Sequence, residues 1–199
     1  AMVAQAVSEF GQLDVMIANA GIGVQKRITE TTWDDFDRII KVNLYGVFLC
    51  GREAARHMVP RGEGKIIFAS STSGRRGAAF QAAYCSSKFG VVGLTQSMAR
   101  ELGPQGITVN AYCPGIVNTR MWDAVVEASP SVQRTVRRLD LLRLLPILSP
   151  ERLAARVVAA TLVGRRHVRH PRRLALNFLL GEAPRRITEA TLAGVRIDP

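Results

Sequence analysis

Several features that define large classes of proteins are missing from this 199-residue sequence. No uninterrupted apolar stretch approaches the roughly 20 residues of a membrane-spanning helix. The opening AMVAQAVSEFG has neither the basic start nor the continuous apolar segment of a secretory signal. The three cysteines, Cys50, Cys85 and Cys113, are too few and too far apart to indicate a disulfide framework or a zinc site. These absences predict one cytoplasmic globular domain over residues 1–199.

Aromatic residues are scarce, at 6%, and lysine is absent from residue 131 onward. That last segment has fourteen arginines against five acidic residues, so it carries most of the net charge of +11. Such a surface could meet phosphate-bearing substrates, anionic lipid or nucleic acid. Because it has almost no aromatic rings to stack on bases and no known binding motif, we favour a solvated arginine-rich face. We therefore predict no nucleic-acid partner, and contact of the tail with a membrane surface is the weaker alternative.

Short apolar segments alternate with helical patterns through the first 119 residues. Three segments are β-branched and are each followed by a polar or glycine-bearing turn: LDVMIA (13–18), KIIFA (65–69) and ITVNAY (107–112). Helices are predicted between them, one over 33–58 with Thr32 as its N-cap and one over 84–102. This alternation predicts an α/β fold with a parallel sheet that has helices on both faces.

The alternation ends beyond residue 119, where a long apolar and basic stretch begins. A further helix is predicted from SPER, with Ser149 as its N-cap. RRHVRHP predicts an edge strand, and RRLALNFLLG predicts an amphipathic end. His167 and His170 would point to opposite faces of that strand, so we predict no metal site.

Four polar or turn residues directly follow the predicted strands: Asn19, Ser70, Ser71 and Pro114. Ligands of parallel sheets bind beyond the carboxyl ends of the strands, so these residues predict a site there. The serines could also be simple turn formers. No G-x-S-x-G motif surrounds them, and a serine hydrolase is therefore disfavoured.

Two polar residues interrupt the apolar faces of the predicted helices. Lys88 lies on the inward face of the second helix, four residues after Tyr84, so the two side chains are neighbours. A fixed cation favours phenolate, which would lower the tyrosine pKa and make the pair a proton donor and acceptor. The Y-x-x-x-K pattern alone also occurs on ordinary helix surfaces. Asn43 is the one amide in the inward stripe of the first helix, and either a structural or a functional role fits it.

Five motifs occur together between Phe10 and Thr119: FGQLDVMIANAG, KVNLYGVF, GKIIFASSTSG, YCSSK and ITVNAYCPGIVNT. In this order and at these spacings the chain resembles the short-chain dehydrogenase/reductases. These are NAD- or NADP-dependent oxidoreductases on a Rossmann-type, doubly wound parallel sheet. The resemblance implies a core over 1–119 with the nicotinamide half and the catalytic site, and a substrate lid over 120–150. Residues 151–199 would form a C-terminal helix, the edge strand and a basic and apolar tail.

The resemblance also implies four catalytic residues: Asn43, Ser71, Tyr84 and Lys88. Tyr84 would exchange a proton with the substrate hydroxyl or carbonyl oxygen, and Ser71 would hydrogen-bond that oxygen. Lys88 would lower the pKa of Tyr84 and hold the nicotinamide ribose. Asn43 would anchor a water molecule that links Lys88 to solvent.

Residues of three turns are implied to bind the cofactor, NAD or NADP, together with Tyr84 and Lys88. They are Asn19, Ala20, Gly21, Pro114, Gly115, Val117 and Thr119. The family's first turn begins with Asn, where this chain has Ala18. Its T-G-x-x-x-G-x-G loop is not found, so the resemblance implies an amino-terminally truncated chain whose first strand is an exposed edge. The residue that selects NAD or NADP would lie in that missing segment.

The expected activity is interconversion of a secondary alcohol and a ketone by hydride transfer. Apolar residues in the lid, Met121, Trp122, Val125 and Val126, favour a bulky lipophilic substrate, with an anionic group that the arginines could meet. A homo-oligomer, dimer or tetramer, paired through the two long helices is implied by the resemblance. The alternative is a catalytically silent fragment or an assembly module of the same fold.

Overall fold

The structure is a computed structural model that describes residues 2–127, 133–134 and 147–163. These residues fall into two units, one that ends at Gly115 and one that begins at Ile116.

A three-stranded parallel sheet forms the centre of the first unit. Its strands are β1 (Val15–Ala18), β2 (Gly64–Ala69) and β3 (Ile107–Tyr112), in the order β1-β2-β3. Val15 lies opposite Lys65, and Gly64 lies opposite Ile107. The last four residues of β2 are all buried, as expected for the central strand of a parallel sheet. The parallel sheet predicted from the sequence is confirmed.

Four helices belong to the first unit: α1 (Met2–Phe10), α2 (Trp33–Ile40), α3 (Gly46–Met58) and α4 (Ala82–Leu102). The Thr32 side chain accepts a hydrogen bond from the Asp35 backbone N–H at 3.1 Å, and the Asp35 side chain accepts from the Thr32 backbone N–H at 3.1 Å. This reciprocal pair is a capping box, which explains why the helix begins here. α4 begins at Ala82, two residues before its predicted start.

A π-helical turn, Lys41–Tyr45, joins α2 to α3, so that together they form the helix predicted over 33–58. Asn43 lies inside this turn and is fully buried. Turns of this kind are rare and often occur at functional sites. The sequence pattern predicted the helix without predicting the turn.

The hydrophobic core lies between the sheet and the helices α3 and α4. Its buried members are Met16, Ala18, Val47, Ala54, Met58, Ile66, Phe68, Val91, Leu102, Ile107 and Val109. Phe68 is fully buried, which contributes about 2 kcal/mol of hydrophobic stabilisation. A Cβ atom on Gly51 of α3 would lie 2.6 Å from Cζ of Phe68, so the glycine allows the helix to approach the sheet closely. The other face of β1 carries Val15 and Ile17, which are 42% and 48% exposed.

The second unit contains two described helices, α5 (Arg120–Glu127) and α6 (Pro150–Val163). The Ser149 hydroxyl accepts a hydrogen bond from the Arg152 backbone N–H at 3.3 Å, which confirms the predicted N-cap. A parallel bridge joins Val117 to Leu148. The predicted edge strand and amphipathic end lie outside the described residues. No helix within the described ranges is long and apolar enough to cross a membrane.

Candidate active site

The loops that follow the three strands are hydrogen-bonded to one another at the carboxyl edge of the sheet. The Thr72 N–H donates to the Pro114 carbonyl at 2.9 Å, which joins the loops after β2 and β3. The Tyr112 hydroxyl donates to Oδ1 of Asn19, which joins the end of β3 to the loop after β1. Asn19, Ser71 and Pro114 therefore lie at the same edge, where their positions directly after the predicted strands indicated a site.

Lys88 is almost entirely buried beneath this edge, with 3% of its surface exposed. Its ammonium donates to the Ala69 carbonyl at 2.9 Å. Burial lowers the pKa of Lys88 from its ordinary value of 10.5 to about 8, and an interaction with Cys113 acts in the opposite direction. An ammonium has three N–H donors, and among the described residues only the Ala69 carbonyl accepts from this one. Two donors are therefore left for a ligand or for solvent.

Tyr84 is partly buried in the first turn of α4. Burial raises the pKa of its phenol, and a hydrogen bond with the Ser71 side chain acts in the opposite direction. The Lys88 ammonium lies over the ring, 5.6 Å from the ring centre. In the protein alone the pKa of Tyr84 is therefore raised, because loss of hydration is the largest influence on the phenol. The role of Lys88 in lowering this pKa stays a prediction.

The serines after β2 have different partners. Ser71 is buried, caps the short turn Thr72–Gly74 by accepting from the Ser73 N–H at 3.1 Å, and lies next to Tyr84. Ser70 points elsewhere and donates to the Lys88 carbonyl at 2.9 Å. A Cβ atom on Gly74 would lie 2.6 Å from the same carbonyl oxygen. Ser71 is therefore the serine placed next to the phenol, while Ser70 holds this loop against α4.

The amide of Asn43 joins the loop after β1 to α4. Its Oδ1 accepts from the Ile22 N–H at 2.8 Å, and its Nδ2 donates to the Ile22 carbonyl at 2.9 Å. Nδ2 also donates to the Ser87 hydroxyl at 3.1 Å. The sequence left open whether Asn43 is structural, and the two bonds to Ile22 show that it positions backbone. The water that the resemblance implies at Asn43 stays a prediction.

The residues expected to bind the cofactor are divided between the two units. Asn19, Ala20, Gly21, Pro114 and Gly115 belong to the unit that holds Tyr84, whereas Val117 and Thr119 belong to the second unit. A Cβ atom on Gly21 would lie 3.3 Å from Oδ1 of Asn43 and 3.4 Å from Nζ of Lys88. The backbone at Gly21 therefore passes close to these two side chains, and a Cβ atom there would make a tight contact with Asn43.

Sequence reasoning did not assign a role to Ser87 or to the Ala69 carbonyl. Ser87 lies between Tyr84 and Lys88 in the sequence and is fully buried. A serine on the inward face of a helix is a weak signal for such a role. A main-chain carbonyl leaves no signal in the sequence at all.

Comparison with known proteins places the chain in a family. Residues 1–130 match the family described as short chain dehydrogenase, and the chain belongs to this family. A short-chain dehydrogenase/reductase of Armillaria gallica is 51% identical over 123 residues, which are 61% of this chain and 47% of that protein. The chain spans about half the length of the curated relatives that it matches.

Two solved structures are similar in fold and sequence. NAD+-bound xylitol dehydrogenase has a TM-score of 0.61 and 34% identity, with 63% of this chain and 49% of that chain covered. A gluconate 5-dehydrogenase from Burkholderia cenocepacia in complex with NADP and tartrate has a TM-score of 0.61 and 32% identity, with the same coverage. Both support a Rossmann-type fold for the chain.

Proposed function

We propose that this chain is the catalytic part of an NAD- or NADP-dependent oxidoreductase that interconverts a secondary alcohol and a ketone. The observation that carries the proposal is the arrangement around Tyr84. The phenol is hydrogen-bonded to the Ser71 side chain, and the centre of its ring lies 5.6 Å from the Lys88 ammonium. Asn43 binds the backbone of the loop after β1, which passes close to Lys88. A proton donor, a hydrogen-bonding hydroxyl and a buried cation are the groups that carbonyl reduction requires.

The raised pKa of Tyr84 keeps the phenol protonated at neutral pH, so that it can donate a proton to a ketone oxygen. The Ser71 hydroxyl would bind the same oxygen and polarise the carbonyl. Lys88, with a pKa of about 8, carries its charge at neutral pH and would favour the phenolate that remains after donation. A bound nicotinamide dinucleotide would supply the hydride.

The donors left at Lys88 fit the cofactor that this reaction needs. Two N–H groups of one ammonium suit the two hydroxyls of a ribose. Asn19 and Ala20 would line the turn after β1. Pro114, Gly115, Val117 and Thr119 would hold the nicotinamide. Similar proteins have been solved with NAD+ and with NADP, and the described residues favour neither.

A groove of about 370 Å³ between the loop after β1 and the loop before α4 is a candidate site for the apolar part of a bulky lipophilic substrate. Its lining residues are Lys26, Arg27, Ile28, Thr29, Ala78, Phe80 and Ala82. The Lys26 N–H donates to the Phe80 carbonyl at 2.9 Å, which joins the two loops that form its walls. The arginines expected to meet an anionic group lie largely outside the described residues.

Exposed aromatic side chains on the long helices support the homo-oligomer that the resemblance implies. Tyr45 and Phe48 stack on each other and are 56% and 39% exposed, and Phe89 of α4 is 46% exposed. A second copy of the chain would bury these rings. Charged substitution of Phe89 should reduce the sedimentation coefficient if this face pairs, and an unchanged coefficient would count against it.

The first experiment is a titration of the chain with NADH and with NADPH, followed by nicotinamide fluorescence. We expect saturable binding of at least one of them, followed by turnover of lipophilic ketones in preference to acetone. When the chain is compared with its Tyr84→Phe variant, the Tyr45→Phe variant is the control for loss of a phenol, because Tyr45 is exposed and lies outside the site. Absence of saturable binding would overturn the proposal for this chain and would favour the silent module.

A further inference from the structure

The Ser87 hydroxyl lies at the junction of the elements that carry the proposed catalytic residues. It is fully buried, it donates to the Tyr84 carbonyl at 2.7 Å, and it accepts from Nδ2 of Asn43 at 3.1 Å. None of the steps proposed above uses it.

The direction of these hydrogen bonds follows from chemistry. The Tyr84 carbonyl can only accept, so the single hydroxyl proton of Ser87 points toward it and a lone pair is left for Asn43. The Ile22 N–H must in turn meet the amide oxygen, which fixes the orientation of the Asn43 side chain. The loop after β1, the π-helical turn and the first turn of α4 are thus joined by one continuous chain of bonds, from Ile22 through Asn43 and Ser87 to Tyr84.

We propose that Ser87 is a positioning residue that holds the first turn of α4, and therefore Tyr84, in register with the cofactor loop at Gly21. This inference rests on the proposed function. Without the hydroxyl, Asn43 keeps its bonds to Ile22 but loses its bond to α4. The backbone of Tyr84 would then be free to move relative to Ser71 and the loop. Such a shift affects the proton transfer more than the binding of either ligand, because misplacement of a reacting group lowers the rate steeply.

The test compares Ser87→Ala with Ser86→Ala in the full chain. Ser86 is the adjacent residue, is exposed, and makes no side-chain hydrogen bond among the described residues. Ionisation of the Tyr84 phenol is followed by ultraviolet difference spectroscopy, with the Tyr84→Phe spectrum as reference. Turnover is measured per folded molecule, with the folded fraction taken from circular dichroism.

For Ser87→Ala we expect the pKa of the Tyr84 phenol to fall toward its ordinary value, because the ring becomes more hydrated. We also expect kcat to fall about tenfold with little change in KM. Ser86→Ala should leave both quantities unchanged. If Ser87→Ala lowers only the unfolding midpoint and matches Ser86→Ala in titration and in turnover per folded molecule, the inference is wrong.

A second variant and the phenol titration cover the cases in which Ser87→Ala does not fold or the parent chain is inactive. Ser87→Cys preserves the size of the side chain with a weaker donor, and it replaces Ser87→Ala in the same comparison if the alanine variant does not fold. Should the parent chain turn over no substrate, the proposed function fails, while the phenol titration still decides the role of Ser87.

Discussion

The Lys88 ammonium lies over the ring of Tyr84, 5.6 Å from its centre, and donates its hydrogen bond to the Ala69 carbonyl rather than to the phenol. A cation over an aromatic face is an attractive arrangement, but it does not solvate the phenolate oxygen. Burial therefore dominates both groups and favours their neutral forms, raising the pKa of Tyr84 and lowering that of Lys88 to about 8.

Replacing Lys88 with Met should stabilise the fold at neutral pH. The lowering of the Lys88 pKa from 10.5 to about 8 corresponds to a cost of about 3 kcal/mol for the buried charge, and removing the charge would recover this free energy. The variant also loses the hydrogen bond to the Ala69 carbonyl, which offsets part of the recovered free energy. We therefore expect the free energy of unfolding in urea to rise by about 1–2 kcal/mol. Turnover should disappear in the same variant, and a less stable Met variant would contradict this account.

The stability of the parent chain should depend on pH through the same lysine. Because the pKa is lower in the folded protein, the unfolded chain binds more protons above about pH 8, and this group makes the fold more stable as pH rises from about 8 toward 10. Lys88→Met should lack this increment. The measurement is urea unfolding at a series of pH values, and parallel curves for the two proteins would show that the lysine is not the source.

Replacing Tyr84 with Phe should separate chemistry from binding. The variant retains the ring beneath the Lys88 ammonium but lacks the proton donor, so we expect turnover to fall about 10²- to 10⁴-fold. Affinity for NADH or NADPH should stay close to that of the parent in a fluorescence titration. Equal turnover of parent and variant would remove Tyr84 from the mechanism.

Substitution of Gly74 by Ala should disrupt the contact between the Ser71 loop and α4. Its Cβ would lie 2.4 Å from Oγ of Ser70 and 2.6 Å from the Lys88 carbonyl oxygen, and the carbonyl belongs to rigid helix backbone. We expect a loss of about 2–3 kcal/mol in the free energy of unfolding. Gly77→Ala in the same loop is the control, because its Cβ would have no atom within 4 Å. Similar unfolding midpoints for the two variants would contradict the close packing.

Self-association through the β1 edge is a separate prediction. β1 has β2 on one side and no other strand among the described residues on its second side, and Val15 and Ile17 are exposed beside this edge. A lysine at Ile17 should weaken edge-to-edge pairing, measured by analytical ultracentrifugation. Ile28→Lys is the control, since Ile28 is 72% exposed but lies outside the sheet. A monodisperse parent monomer would show that the edge does not pair.

The sequence alone predicted the parallel strands, the two long helices and the N-caps at Thr32 and Ser149. These features depend on local patterns, namely apolar runs, capping residues and helix-ending glycines, which each segment carries in itself. The five motifs likewise indicated the family, because their order and spacing are properties of the chain. Assignment of Asn43, Ser71, Tyr84 and Lys88 as catalytic residues stays a prediction for experiment.

Only the tertiary structure decided how these residues affect one another. The direction of the Tyr84 pKa shift depends on how much water the fold removes from the phenol and on where the Lys88 ammonium points. The π-helical turn turns Asn43 toward Ile22 and Ser87, which are 21 and 44 residues away in sequence. Hydration and long-range hydrogen bonds arise when distant segments pack, and no local pattern in the sequence encodes them.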